Sequence, residues 1–238
     1  MDRDAVIDRA LKAGVKYLVN VGTDPGSNEK AHALASRYPF MKHTVGLHPH
    51  SAHEADEPMF AQLEEQIASS KPSAIGEVGL DYFKSEAPPE VQKNVFGRML
   101  DIAKKHSLPV IVHSRNAFDD THALLQHASK EGVRGVMHCF SYDEAAMKKM
   151  TELGFFISFA CNITFKNAGA LLETAKATPE DRLVVETDSP YLSPDRGKRN
   201  EPASLARLVP WLASARGVDA AALAERSTEN AKRLFNLL

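Results

Sequence analysis

The chain holds only two cysteines in 238 residues, Cys139 and Cys161, and a single tryptophan. Two cysteines build no disulfide framework, and such sparse usage fits a reducing compartment, so a cytoplasmic location is expected. No apolar run is long enough to span a bilayer, and no charged-then-apolar stretch resembles a signal peptide. An excess of either charge is also lacking. The 29 Lys and Arg against 31 Asp and Glu leave a net charge of −2, which excludes a broadly basic nucleic-acid coat but allows a local basic patch. Pro-rich or Ser-rich linkers, low-complexity segments and short internal repeats are absent as well. At 43% hydrophobic residues the chain can bury a sizeable core. One domain spanning residues 1–238 is the expectation.

What the chain does contain is an alternation. An amphipathic helix over 4–13 stops at Gly14, followed by a strand over 17–22 and a helix over 26–37 with Ser27 as its cap. A strand over 44–48 and a helix over 57–69 come next. The pattern then repeats with strands at 73–78, 109–113, 134–138, 155–160 and 182–187, interleaved with helices at 89–106, 118–130, 143–153 and 167–177. Three terminal helices are expected at 202–215, 219–226 and 228–236. The strands are apolar with little alternation, as when both faces are buried. Strand and helix in strict succession mean a parallel α/β sheet with right-handed crossovers. The reading is a (β/α)8 TIM-type barrel with seven readable strands. The chain opens on the helix that would follow strand one, so the first strand is expected to be missing.

Four of the strands end on a residue that can bind metal: Glu77, His113, His138 and Asp188. In this barrel class such ends meet at one mouth, where active sites are built. Imidazole nitrogen suits Zn, Mn or Fe, a carboxylate can bridge cations, and Asp188 could bind metal or take a proton from an activated water. Any one of the four could instead be a hydrogen-bonded core residue, but burying several ionisable groups without partners is costly. His48-Pro49-His50 follows the strand at 44–47, and either histidine could donate to a phosphate or carboxylate, with His50 favoured. Arg115 follows His113 and suits bidentate phosphate contact, or an ion pair with Asp119 or Asp120. Arg196, Lys198 and Arg199 form a cationic loop that fits an anionic substrate or a solvated surface. His32, His43, His53, His106, His122 and His127 read as exposed, capping or peripheral residues, and Cys139 as a small buried thiol.

The segments Val45–His50, Gly76–Tyr82, Pro109–Asp119, Met137–Ser141, Glu186–Leu192, Arg196–Pro202 and Thr228–Ala231 resemble the TatD family of metal-dependent deoxyribonucleases, within the amidohydrolase-like barrels. The resemblance runs from end to end. It implies a two-metal phosphodiesterase using Mg, Mn or Zn, with 3′-to-5′ exonuclease action on single-stranded DNA ends and no membrane or obligate protein partner. It implies that Glu77 bridges the metals, His113 and His138 complete one site, and Asp188 serves the other and helps activate water. It also implies that His50 lies near the substrate phosphate. The family's first strand carries a His-x-His pair, whereas the only histidine before residue 43 here is His32. One intact metal site is therefore expected. Two other readings use the same residues: hydrolysis of a carboxylic ester, lactone or amide, and a catalytically degenerate metal- or nucleic-acid-binding scaffold.

Overall fold

A computed structural model describes residues 2–237. Two compact units are distinguished, one of residues 17–138 with 153–155, the other of the remaining described residues. Strand and helix alternate through both. All described strand pairs are parallel, and seven strands occur among the described residues, as the (β/α)8 class requires of a chain with seven strand signals. No helix among the described residues is long and apolar enough to cross a membrane.

The first unit carries β1 (Leu18–Asn20), α1 (Pro25–Ala35), β2 (Met41–Val45), α2 (Glu57–Ser70), β3 (Ala74–Asp81), α3 (Pro89–His106), β4 (Val110–Arg115), α4 (Phe118–Lys130) and β5 (Gly135–Met137). Its helices have physical starts and stops. In α3 a proline opens the first turn beside Glu90, three basic residues occupy the last turn, and Ser107 closes it at φ +54°. Val95, Phe96, Met99, Leu100 and Ala103 form its buried stripe. Burying each large side chain contributes about 1.5–3 kcal/mol. The cap of α1 is Asp24, not Ser27. Asp24 accepts from the Ser27 N–H at 2.9 Å, and the Ser27 hydroxyl closes a capping box by accepting from the Asp24 N–H.

Two expectations need correction here. The second strand runs over Met41–Val45, three residues upstream of the expected 44–48 at both ends. Met41 and His43 pair in register with Leu18 and Asn20, which fixes the start. Leu47 stays buried outside the ladder, so apolar character alone misplaced the end. His43 is not peripheral either: it is 7% exposed, with Nε2 3.0 Å from the Ser70 hydroxyl and its ring 4.7 Å from that of His32.

The other unit carries the N-terminal helix Arg3–Lys12, α5 (Glu144–Glu152), β6 (Phe156–Phe159), α6 (Gly169–Ala177), β7 (Leu183–Val185), α7 (Leu205–Arg216) and α8 (Ala220–Phe235). The expected break near residue 227 does not occur, because the polar residues there have partners. Ser227 accepts from the Val185 N–H at 3.1 Å, and Asn230 donates to the carbonyls of Glu180 and Leu183 at 2.7 and 2.8 Å. Thr228 turns its hydroxyl back to the Ala224 carbonyl. These side chains satisfy backbone groups beside β7 while the helix continues.

Burial, with like charge from His32 and Lys42, lowers the His43 pKa to about 4. The unfolded chain titrates this group near 6.5. Between those values the unfolded state binds more protons, so stability is complete above about pH 6.5 and falls as the pH drops towards 4. Urea unfolding from pH 8 to 4 should show that loss. His43→Asn should flatten part of the slope, and an unchanged slope would remove His43 as its source.

Candidate metal centre

The centre of the first unit is shaped by one extra residue in β3. Ile75 pairs with Val110 and Val78 with Val112, so three steps along β3 match two along β4. The surplus falls at Gly76–Glu77 and constitutes a β-bulge, a feature that re-aims side chains. Close backbone approach holds it there. A Cβ on Gly46 would lie 2.2 Å from the Gly76 carbonyl carbon, and one on Gly79, at φ +141°, would lie 1.9 Å from the His113 oxygen. Only glycine fits these contacts.

Hydrogen bonds complete the cradle. The Glu77 N–H donates to the Gly22 carbonyl at 2.7 Å. The buried Thr44 hydroxyl accepts from the Gly22 N–H and donates to the Gly76 carbonyl. Asn28, 1% exposed, accepts from the Gly46 N–H at 3.1 Å and donates to its carbonyl at 3.2 Å. The chain then leaves β2, and His48 is anchored by its N–H to the Thr23 carbonyl at 2.8 Å.

Glu77 Oε1 lies 2.8 Å from His113 Nδ1 and 3.8 Å from both His48 Nε2 and His138 Nε2. On its other side, His113 Nε2 is 3.0 Å from Asp81 Oδ2, which also lies 3.2 Å from His50 Nε2. One imidazole thus stands between two carboxylates. Burial opposes ionisation of Glu77, but His138, His113 and His48 outweigh it and hold the pKa at about 2. Burial likewise opposes Asp81, and the Lys84 and Phe83 N–H groups with His113 bring it to about 2. Burial lowers His48 to about 4 against the attraction of Glu77. At neutral pH Glu77 is a carboxylate and His48 a neutral imidazole, the forms that coordinate cations.

Donor atoms of His48, Glu77 and His113 all lie within 4.8 Å of one another. Two imidazole nitrogens and a carboxylate oxygen are a donor set that fits a divalent ion of the Zn or Mn type. The structure therefore brings Glu77, His113, His138 and His50 together. Asp188 belongs to the other unit, in a turn beyond β7 at φ +54° where its carbonyl accepts from the Tyr191 N–H at 2.8 Å. In that unit Arg199 pairs with Asp2 and Glu201, while Arg196 and Lys198 are exposed. Arg115 takes neither of its two expected partners; it stacks over Phe83, and Asp120 accepts from the Tyr82 hydroxyl at 2.6 Å. Cys139 is half-buried, its sulfur 3.9 Å from Asn162 Nδ2.

Sequence reasoning weighted His50 over His48 and overlooked Asp81. The missed signal was strand periodicity, since Glu77 and Asp81 lie an even number of residues apart.

A family profile described as TatD related DNase matches residues 1–236. The chain belongs to that family. It is 37% identical over 238 residues to the uncharacterized metal-dependent hydrolase YabD of Bacillus subtilis, covering 99% of this chain and 93% of the relative. It is 36% identical to a protein of Erwinia tasmaniensis named 3′-5′ ssDNA/RNA exonuclease TatD, with 99% and 94% covered. The crystal structure of the TatD homolog YJJV from Escherichia coli superposes with a TM-score of 0.93 at 29% identity, covering 99% of this chain and 92% of that one. A TatD-family chain is thus a metal-dependent hydrolase.

The cradle gives a stability test. Gly46→Ala must displace the Gly76 peptide, and overpacking of this kind costs about 1–3 kcal/mol or more. We expect a clearly lowered urea midpoint and weaker Mn binding by calorimetry. Wild-type values for both would show that the β2–β3 approach does not hold Glu77.

Proposed function

We propose that the chain acts as one metal-dependent phosphodiesterase domain, a TatD-like exonuclease on single-stranded DNA ends. The observation that carries this reading is the cluster of His48, Glu77 and His113 around one carboxylate oxygen, in a chain of the TatD-related family. Relatives named as 3′-5′ ssDNA/RNA exonucleases support the polarity and the substrate. Two free cysteines support a reducing, cytoplasmic setting.

His48, Glu77 and His113 would hold a divalent ion, with His138 beside the same carboxylate. When bound, such an ion polarises a phosphoryl oxygen and offsets the charge that develops there. Asp81 fixes the orientation of His113 and His50 through its Oδ2. His50, 46% exposed in its side chain, would lie near the substrate phosphate, its Nε2 held by Asp81. Arg115 supplies a permanent cation close by. On the family pattern, Asp188 takes a proton from the attacking water, and Arg196, Lys198 and Arg199 attract the anionic strand.

Glu77→Gln tests the site. Outer-shell changes around metals cost about 10–100-fold, so loss of a ligand should lower turnover of a labelled single strand by more than that. Calorimetric titration with Mn or Zn should show the loss of the tightest ion in the same variant. Turnover that survives both Glu77→Gln and a chelator would overturn the reading, and cleavage of aryl carboxylic esters alone would move it to another ester class.

The cationic loop is tested by salt. Each phosphate contact contributes about 0.7 to the salt slope of single-strand binding. Arg196→Ala with Lys198→Ala should make the plot of binding against salt shallower. An unaltered slope would return these residues to a solvated surface role.

A further inference from the structure

Phe83 is 58% exposed, the most exposed phenylalanine among the described residues. Its position is fixed from below. The Phe83 and Lys84 N–H groups donate to Asp81 Oδ1 at 2.9 and 2.7 Å. The other oxygen of that carboxylate faces His113 and His50. The ring is therefore hung from the same group that orients a residue of the metal cluster. It is also held from the side. The Arg115 guanidinium carbon lies 4.2 Å from the ring centroid, and Arg115 is the register partner of Asp81. The Tyr82 N–H donates to the Arg115 carbonyl at 2.9 Å, which locks the two segments together.

Such a pair has a definite ligand chemistry. An arginine stacked on a ring uses its face for the contact and keeps its in-plane N–H donors for an anion. A rigid ring left open to solvent offers a π surface of the kind on which unpaired bases stack, whatever their identity. A flat aromatic group joined to a phosphate matches both halves. A base inside a duplex is already stacked and is not available.

We infer that Phe83 and Arg115 form a nucleotide platform, Phe83 stacking an unpaired base while Arg115 contacts the adjoining phosphate beside the Glu77 cluster. This rests on the phosphodiesterase reading for its meaning, and it names the residues that make a nucleic-acid strand the substrate. Base stacking on an aromatic residue amounts to roughly 5- to 150-fold in affinity per base.

The test uses Mn-loaded protein and fluorescein-labelled, hydrolysis-resistant phosphorothioate strands, one of thymidine and one abasic, followed by anisotropy. Wild type should prefer the thymidine strand. Phe83→Ala should lose about tenfold on that strand and most of the preference, while Phe83→Trp should retain it. Circular dichroism melting of both variants guards against misfolding. Equal weakening on both strands, or no weakening on thymidine, overturns the platform. So does self-association that Phe83→Ala abolishes without altering strand affinity, since the ring would then be a contact between copies. Hydrolysis of bis(p-nitrophenyl) phosphate separates the two readings. Turnover without base preference defeats the platform alone, whereas Phe83-dependent base preference without turnover defeats the phosphodiesterase alone.

Discussion

The surplus residue in β3 is the constraint from which the candidate centre follows. The backbone beyond β2 crowds Gly76–Glu77 closely enough that glycine is required at 46, and β4 approaches β3 closely enough to require it at 79. That crowding leaves Glu77 little choice of direction. It also explains the polar residues buried around the bulge. Thr44 and Asn28 lie at 0% and 1% exposure, yet each is bonded to backbone groups that the irregular ladder leaves over. A regular strand would need neither of them.

Electrostatics then act on a geometry already set. Burial alone would neutralise Glu77, but three imidazoles around it reverse the outcome. Asp81 is kept ionised by backbone N–H donors as well as by His113. The two carboxylates therefore stay charged for different reasons, one through side chains from separate strands and loops, the other through the turn that follows its own strand. This division lets Asp81 serve two sides at once, holding His113 with one oxygen and the Phe83 segment with the other.

Much of this was legible in the sequence because the relevant signals were local. Helices at 89–106 and 118–130 were delimited correctly, since Pro, acidic and basic residues mark their ends and an apolar stripe marks their faces. The assembly of Glu77, His113 and His138 followed from strand ends, as the barrel class predicts. What was not legible depended on pairing. The start of β2 is set by register with β1, the continuity of α8 by acceptors near β7, and the burial of His43 by both neighbouring helices and its own strand. Ser227 and Asn230 look like helix breakers until the partners across the unit are known. The even spacing from Glu77 could place Asp81 on the same face, but the N–H groups that it gathers from the following turn show only in the structure.

His113 carries a consequence of its own. An imidazole gripped at both nitrogens, 2.8 Å from one carboxylate and 3.0 Å from another, has surrendered its rotational freedom before any ligand arrives. The entropy of ordering that ring is lost during folding and not at capture of an ion. Affinity of the centre and rigidity of β3 and β4 are then a single quantity seen from two directions. A remote substitution that merely lets those strands breathe would blunt the centre without touching a single ligand, and a bound ion would in turn quiet the strands.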